Sequence, residues 1–452
     1  MRLPCYTVAN IRHEYVRGAQ SAGSTRLWPR SLAWVIFLGP FFFITYGFAN
    51  TWTSLQPNVA SIVFDWERAV FPFVPMLTLP YMSIDLFYGL SLFLARTKKE
   101  LDTHAKRLLL ATIISVICFF IFPLRFQYVR PPVEGFNGFL LGILTGFDKP
   151  FNQAPSLHVS LLILLWTHYA KRCCGVAMAV IHLWFALIGV SVLLTWQHHF
   201  IDVVGGIVVG FGVWYVLPDA AVQFRWSKAA LHFGRAVPYW VGFLGLGSIA
   251  VVVGHLLWLL AWPAVSCCIV AAGYSGYGAS VFQKGETGKR SLPATALLLP
   301  YFVAAHLSRV CFTKGGQSRA TGVIGDLTLH SWPGPVLSAP AVLDLCAEFN
   351  RRHAFGEYVS VPMQDMVFPL ARELDAAMVA LHTLAEVGTV AVHCALGRGR
   401  SALVAAAWLL EKRRAPSVSE AIANIRSACP HAVISTTSEQ ALENWWHERQ
   451  RA

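Results

Sequence analysis

Val392-His393-Cys394-Ala395-Leu396-Gly397-Arg398-Gly399-Arg400-Ser401 runs from an apolar strand through a thiol into a glycine-bearing loop that opens a helix. Loop N–H groups and the positive end of such a helix point at one spot, where a dianionic phosphoryl group can rest against the Cys394 sulfur. Arg400, six positions after Cys394, can fork two oxygens of that group. Cys346 also has an arginine six residues on, Arg352, but it lacks the glycine and puts Glu348 where an anion would sit. It reads as a buried structural cysteine.

The Cys394 run resembles the signature loop of the cysteine-dependent, dual-specificity phosphatases, His-Cys-x5-Arg-Ser. The resemblance implies that the Cys394 thiolate attacks phosphorus while Arg400 and the loop residues Gly397, Arg398 and Gly399 hold the phosphoryl oxygens. Asp365, in Tyr358-Val-Ser-Val-Pro-Met-Gln-Asp-Met-Val-Phe-Pro369, matches the family's aspartate that protonates the leaving oxygen. Ser401 matches the hydroxyl that helps expel the thiolate, and His393 the histidine that orders the loop; both also fit as ordinary helix-start and strand-end residues. Arg398 adds a cation like that of lipid-directed members of the group.

Flanking segments suit a small α/β domain over residues 319–452. Val323–Leu329 and Val342–Glu348 read as short strand and helix segments, and Thr389–Val392 as the strand delivering the nucleophile. Ser417-x-x-Glu420 starts a helix through about Ala428.

Composition makes this domain the minor part of the molecule. With 55% hydrophobic and 13% charged residues in 452, and a mean hydropathy of +0.51, a soluble two-domain enzyme is excluded. Apolar runs near 33–49, 72–95, 107–124, 156–170, 175–196, 199–217, 238–261 and 264–282 predict a multi-pass α-helical membrane bundle. A further run, 293–312, is interrupted by Pro293 and Pro300 and reads as interfacial or re-entrant. Basic clusters at Arg2–Arg30, Arg96–Arg107 and Lys171-Arg172 put those sides, and the C-terminal domain, in the cytoplasm. The net charge of +12 borders the spans, so anionic lipid headgroups rather than nucleic acid are the expected partner. The ten cysteines form no Cys-x-x-Cys pattern, and neither metal nor cofactor is expected.

The loop after the third span breaks the charge rule with Arg125, Arg130 and Lys149. Together with Pro155-Ser-Leu-His158 and Gln197-His-His-Phe-Ile-Asp202 it falls on the outer ends of spans three to six, where ionisable groups are costly unless they do chemistry. His198 and Asp202, four apart, share a face if they lie on a helix. The plain alternative is interfacial histidines packed under aromatic residues.

These blocks resemble the type-2 phosphatidic acid phosphatase superfamily. The resemblance implies that His198 attacks phosphorus, Asp202 orients it, His158 protonates the leaving oxygen, and Arg130 with Ser156 holds the phosphoryl group. Pro123 stands at the first-block lysine position, Leu157 at the second-block glycine and Val192 at the third-block arginine, and the resemblance leaves Arg125 as the candidate to replace one lost cation. The Pro-Ser-Leu-His and Gln-His-His-x-x-Asp forms look closer to the inositol phosphorylceramide and sphingomyelin synthase branch, which leaves headgroup transfer open beside hydrolysis. His199 reads as structural.

The expected organisation is a basic tail (1–30), a six-span lipid phosphatase-like domain (31–218), about two further spans with a linker (219–318) and a dual-specificity phosphatase domain (319–452). The expected function is a bifunctional membrane phosphatase acting on lipid phosphates outside and on lipid phosphates or phosphoproteins inside. The alternative pairs a phospho-headgroup transferase with a protein tyrosine or serine/threonine phosphatase. A scaffold that binds phosphorylated ligands without turnover is the reading from another class.

Overall fold

A computed structural model describes residues 27–219, 224–253, 255–313, 320–333, 339–352 and 356–451. Most of the basic N-terminal tail, with Arg2, Arg12, Arg17 and Arg26, lies outside the described residues, as do Lys314 and Arg319. The chain divides into two compact units, Met1–Asp219 and Ala220–Ala452.

The first unit is helical: α1 (Trp28–Ser54), α2 (Thr78–Ser91), α3 (Lys98–Ile121), α4 (Gly135–Phe147), α5 (Leu157–Ala170), α6 (Gly175–Leu194) and α7 (Phe200–Val216). Leu38, Leu101, Leu108, Leu165, Phe185 and Ile188 form its core. α7 lies backbone-close on the segment before α5 because Gly206 has no side chain; a Cβ there would stand 2.5 Å from the Ser156 carbonyl oxygen.

In the second unit, α8 (Phe233–Val253) and α9 (Ala261–Tyr274) form a hairpin, followed by α10 (Leu292–Leu297) and α11 (Leu299–Phe312). Among the described residues, five helical segments are long and apolar enough to cross a membrane: Trp28–Ser54, Lys98–Ile121, Gly175–Leu194, Phe233–Val253 and Leu257–Tyr274. Their apolar side chains are largely turned away from the core, Ile44 and Val252 among them, as expected of helices solvated by lipid. α2, α5 and α7 are shorter than the expected spans, and α4 is a helix where only a loop was expected. The 293–312 run breaks at Leu298 into α10 and α11, with a proline near the start of each.

A five-stranded sheet follows, β1 (Ala320–Ile324), β2 (Leu327–Ser331), β3 (Ala341–Cys346), β4 (Glu357–Met363) and β5 (Val390–Cys394), in the order β1-β2-β5-β3-β4. Only the β1–β2 hairpin is antiparallel. The central β5 is buried throughout, which is why its sequence is a continuous apolar run. Helices α12 (Ala371–Ala385), α13 (Arg400–Glu411), α14 (Val418–Ala428) and α15 (Thr436–Arg451) complete the unit. α13 is buried from Arg400 to Leu410. Ser417 caps α14 as expected, its hydroxyl accepting from the Glu420 N–H at 3.2 Å. The expectation of helix in 342–348 is corrected: Val342–Cys346 is a strand, because its apolar side chains serve a sheet buried on both faces.

Candidate active sites

Cys394 ends the central strand, and the loop to α13 turns tightly at Gly397. Gly397 has φ +71°, and a Cβ on it would meet the His330 carbonyl carbon at 2.6 Å, so only glycine fits. Ser401, in the first turn of α13, sets its hydroxyl 3.4 Å from the Cys394 sulfur. Both are buried.

Arg400 is also buried, and its guanidinium is held on several sides. It meets the Glu348 carboxylate at 2.5 and 2.9 Å, the Met363 carbonyl at 2.9 Å and the Asp365 carboxylate at 3.1 Å. Burial works against the Glu348 carboxylate, but Arg400 outweighs it and holds the carboxyl below its ordinary range. Asp365 is the open member of the set, its side chain 45% exposed. Gly399 precedes α13, and Arg398 is half-buried, its guanidinium without a hydrogen-bond partner among the described residues.

His393, just before Cys394 on β5, is buried. Its Nδ1 lies 3.7 Å from Asp344 and 3.8 Å from the Cys346 sulfur. Cys346 is fully buried, and burial followed by the charge of Asp344 pushes its thiol well up, as suits a structural cysteine. Asp344, Cys346 and His393 offer three donor atoms within 4.8 Å of one another, but the Lys284 ammonium sits 2.6 Å from Asp344 and supplies the positive charge there.

In the first unit, the structure corrects the expected helical face for His198 and Asp202. α7 begins only at Phe200, with His199 as its cap, so His198 precedes the helix. Its Nδ1 is 3.7 Å from an Asp202 oxygen, the same oxygen that accepts the His199 N–H at 2.8 Å. His199 is tied to Glu67 at 2.9 Å and accepts from the Gln127 N–H, which fits its structural reading. The Ser156 N–H donates to the Asp202 carbonyl, joining two of the blocks, and the Ser156 hydroxyl caps α5.

Arg130 donates to the Thr195 and Trp196 carbonyls, just before His198. With Arg125, which is exposed, it lines a cavity of about 580 Å3 that also touches Asp148. His158 and His198 line a second, small cavity with Tyr46, Tyr81, Asp85 and Asp148. Tyr81 stacks on His158 with ring centroids 4.1 Å apart. His158 Nε2 and His198 Nδ1 are buried with no hydrogen-bond partner among the described residues. The Tyr46 hydroxyl donates to Asp148 at 2.8 Å.

Sequence reasoning missed Asp148, Asp85 and Tyr81 here, and Glu348 beside Arg400. Asp85 carried a signal, an acid inside an expected apolar span.

No curated protein matches the chain. Among solved structures, Tk-PTP in the active form is 23% identical over 29% of this chain and 97% of its own, with a TM-score of 0.25. A human DUSP28 variant is 20% identical over 29% and 96%, TM-score 0.26. PTPMT1 in complex with PI(5)P is 19% identical over 28% and 94%, TM-score 0.25. Residues 337–445 match the model of the dual specificity phosphatase catalytic domain. The C-terminal part of the chain therefore carries a dual specificity phosphatase catalytic domain.

Proposed function

We propose that the chain is a membrane-anchored phosphoric monoester hydrolase that turns over at Cys394, with a second, histidine-based phosphoryl site in the N-terminal unit. The convergence of Cys394, Ser401, Arg400 and Asp365 at the end of β5 carries the first part. The Cys394 thiolate attacks phosphorus as the P–O bond to the leaving group breaks, and Asp365 gives its proton to that oxygen. Water then attacks the phosphocysteine, Asp365 takes its proton, and the Ser401 hydroxyl donates to the departing thiolate. Arg400 forks the phosphoryl oxygens throughout.

A lipid phosphate is the favoured substrate. The Tyr274 hydroxyl, at the end of the candidate span Leu257–Tyr274, donates to the Asp365 carbonyl at 3.1 Å, which fastens the proton-donor loop to an apolar helix end. A monoester held in a bilayer meets Asp365 at that level, whereas a phosphoprotein would have to approach the membrane surface.

For the N-terminal unit, the lining of one cavity by His158 and His198, with Asp202 3.7 Å from His198 Nδ1, supports the opposite nitrogen of His198 as nucleophile, His158 as proton donor and Asp202 as the group that orients His198. Arg130 and Ser156 would bind oxygens. A phosphohistidine can be discharged by water or by a lipid alcohol.

The test is phosphate release by detergent-purified protein from lipid phosphates and from phosphopeptides. Wild type is expected to favour lipids, and Cys394→Ser to lose that share of turnover by at least about 1,000-fold, the scale of a lost nucleophile. Residual release from phosphatidic acid that disappears on adding His198→Ala supports hydrolysis at the second site. Headgroup exchange between lipids without phosphate release supports transfer instead.

A further inference from the structure

Residues 283–291, between the helical hairpin and α10, form a tight turn of their own. Lys284 and Arg290 pair across it, and the Gly285 N–H donates to the Lys289 carbonyl at 3.0 Å. This turn lies outside the matched catalytic domain, yet it grips the exit of β3 from end to end.

Lys284 Nζ donates to Asp344 Oδ2 and to the Cys346 carbonyl, both at 2.6 Å, and the Lys284 and Asp344 side chains are wholly enclosed. Arg290 donates from its guanidinium to the Glu348 carbonyl and from its N–H to Asn350 Oδ1 at 3.0 Å. The Arg351 N–H donates to the Gly288 carbonyl at 2.8 Å. Arg290 is itself fixed, its guanidinium 3.5 Å from the centroid of the Phe302 ring in α11.

Glu348, whose main chain Arg290 holds, is the residue whose carboxylate clamps Arg400. We infer that Arg290 and Lys284 are positioning residues of the Cys394 site, fixing the β3 exit so that Glu348 presents Arg400 to the substrate's phosphoryl oxygens. This rests on the Cys394 site being a phosphatase site. It means that the segment joining the apolar hairpin to the catalytic domain is part of the oxyanion-binding apparatus, and not only a tether.

Orthovanadate serves as the probe because its protection of Cys394 from iodoacetate, followed on the Cys394 peptide by mass spectrometry, needs no turnover. In the full-length protein, Arg290→Met is expected to raise the half-protecting vanadate concentration about tenfold, the scale of one charge-assisted hydrogen bond. KM for para-nitrophenyl phosphate should rise with it. The pH dependence of alkylation without vanadate should stay unchanged, because the thiol's own surroundings are untouched. Arg290→Lys should recover part of the affinity, and it carries the measurement if Arg290→Met does not fold. Lys284→Met with Asp344→Asn, which removes both buried charges together, should weaken vanadate likewise. Unchanged vanadate protection in the folded variants, whatever their melting temperatures, would overturn the inference. A wild type that binds vanadate but releases no phosphate would instead count against the phosphatase reading.

Discussion

Single residues set the chemistry of the Cys394 loop, and Gly397 has the least room to vary. Any side chain there must adopt a positive φ and also displace the His330 carbonyl, 2.6 to 2.7 Å from a Cβ. Gly397→Ala is expected to cost about 1–3 kcal/mol in stability and to abolish phosphate release, measured by thermal melting and initial rates. A variant with wild-type turnover would show that the loop tolerates another path. Arg400 depends on a partner that no local pattern announces: Glu348 lies 52 positions away in sequence. Removing either member of so buried a pair leaves an uncompensated charge. The same segment carries Cys346, whose thiol is pushed well up by burial and by the adjacent Asp344 charge, which disfavours the thiolate there despite the shared Cys-x5-Arg spacing.

Whole elements then aim these residues. β5 and α13 meet at the Cys394 loop, and α12 follows the Asp365 loop. Near the start of α12, the Glu373 carboxylate accepts from the Leu370 N–H at 3.1 Å, and burial pushes its carboxyl up from 4.5 to about 7. The folded protein thus binds this proton more tightly than the unfolded chain does. The group's stabilising effect is fully present below about pH 4.5 and is lost as pH rises through about 7. Glu373→Gln is expected to flatten the fall in melting temperature across that window; parallel slopes for variant and wild type would refute this. In the N-terminal unit the decisive element boundary is the start of α7. Because the helix begins after His198, its first turn takes the His199 N–H onto Asp202, and His198 approaches that carboxylate from outside the helix.

At the scale of the molecule, apolar helical segments long enough to cross a membrane and a dual specificity phosphatase catalytic domain share one chain. The basic clusters flanking the apolar runs predict that Cys394 faces the cytoplasm. With membrane-impermeant para-nitrophenyl phosphate, sealed cells expressing the His198→Ala protein should therefore show no Cys394-dependent turnover until they are lysed. Equal rates before and after lysis would put the catalytic domain outside.

The sequence by itself determined the chemistry-bearing run Val392–Ser401, the apolar character of the longest helices and the break in 293–312. Each of these is a local property: a strand-to-loop change of composition, a run of apolar residues, a proline that cannot extend a helix. Only the tertiary structure decided which polar and charged groups answer one another. Glu348 against Arg400, Lys284 against Asp344, Glu67 against His199 and Tyr274 against Asp365 join residues 52 to 132 positions apart. Nothing in local spacing encodes these pairs, because each exists only where packing removes water and brings distant polar groups within reach of one another.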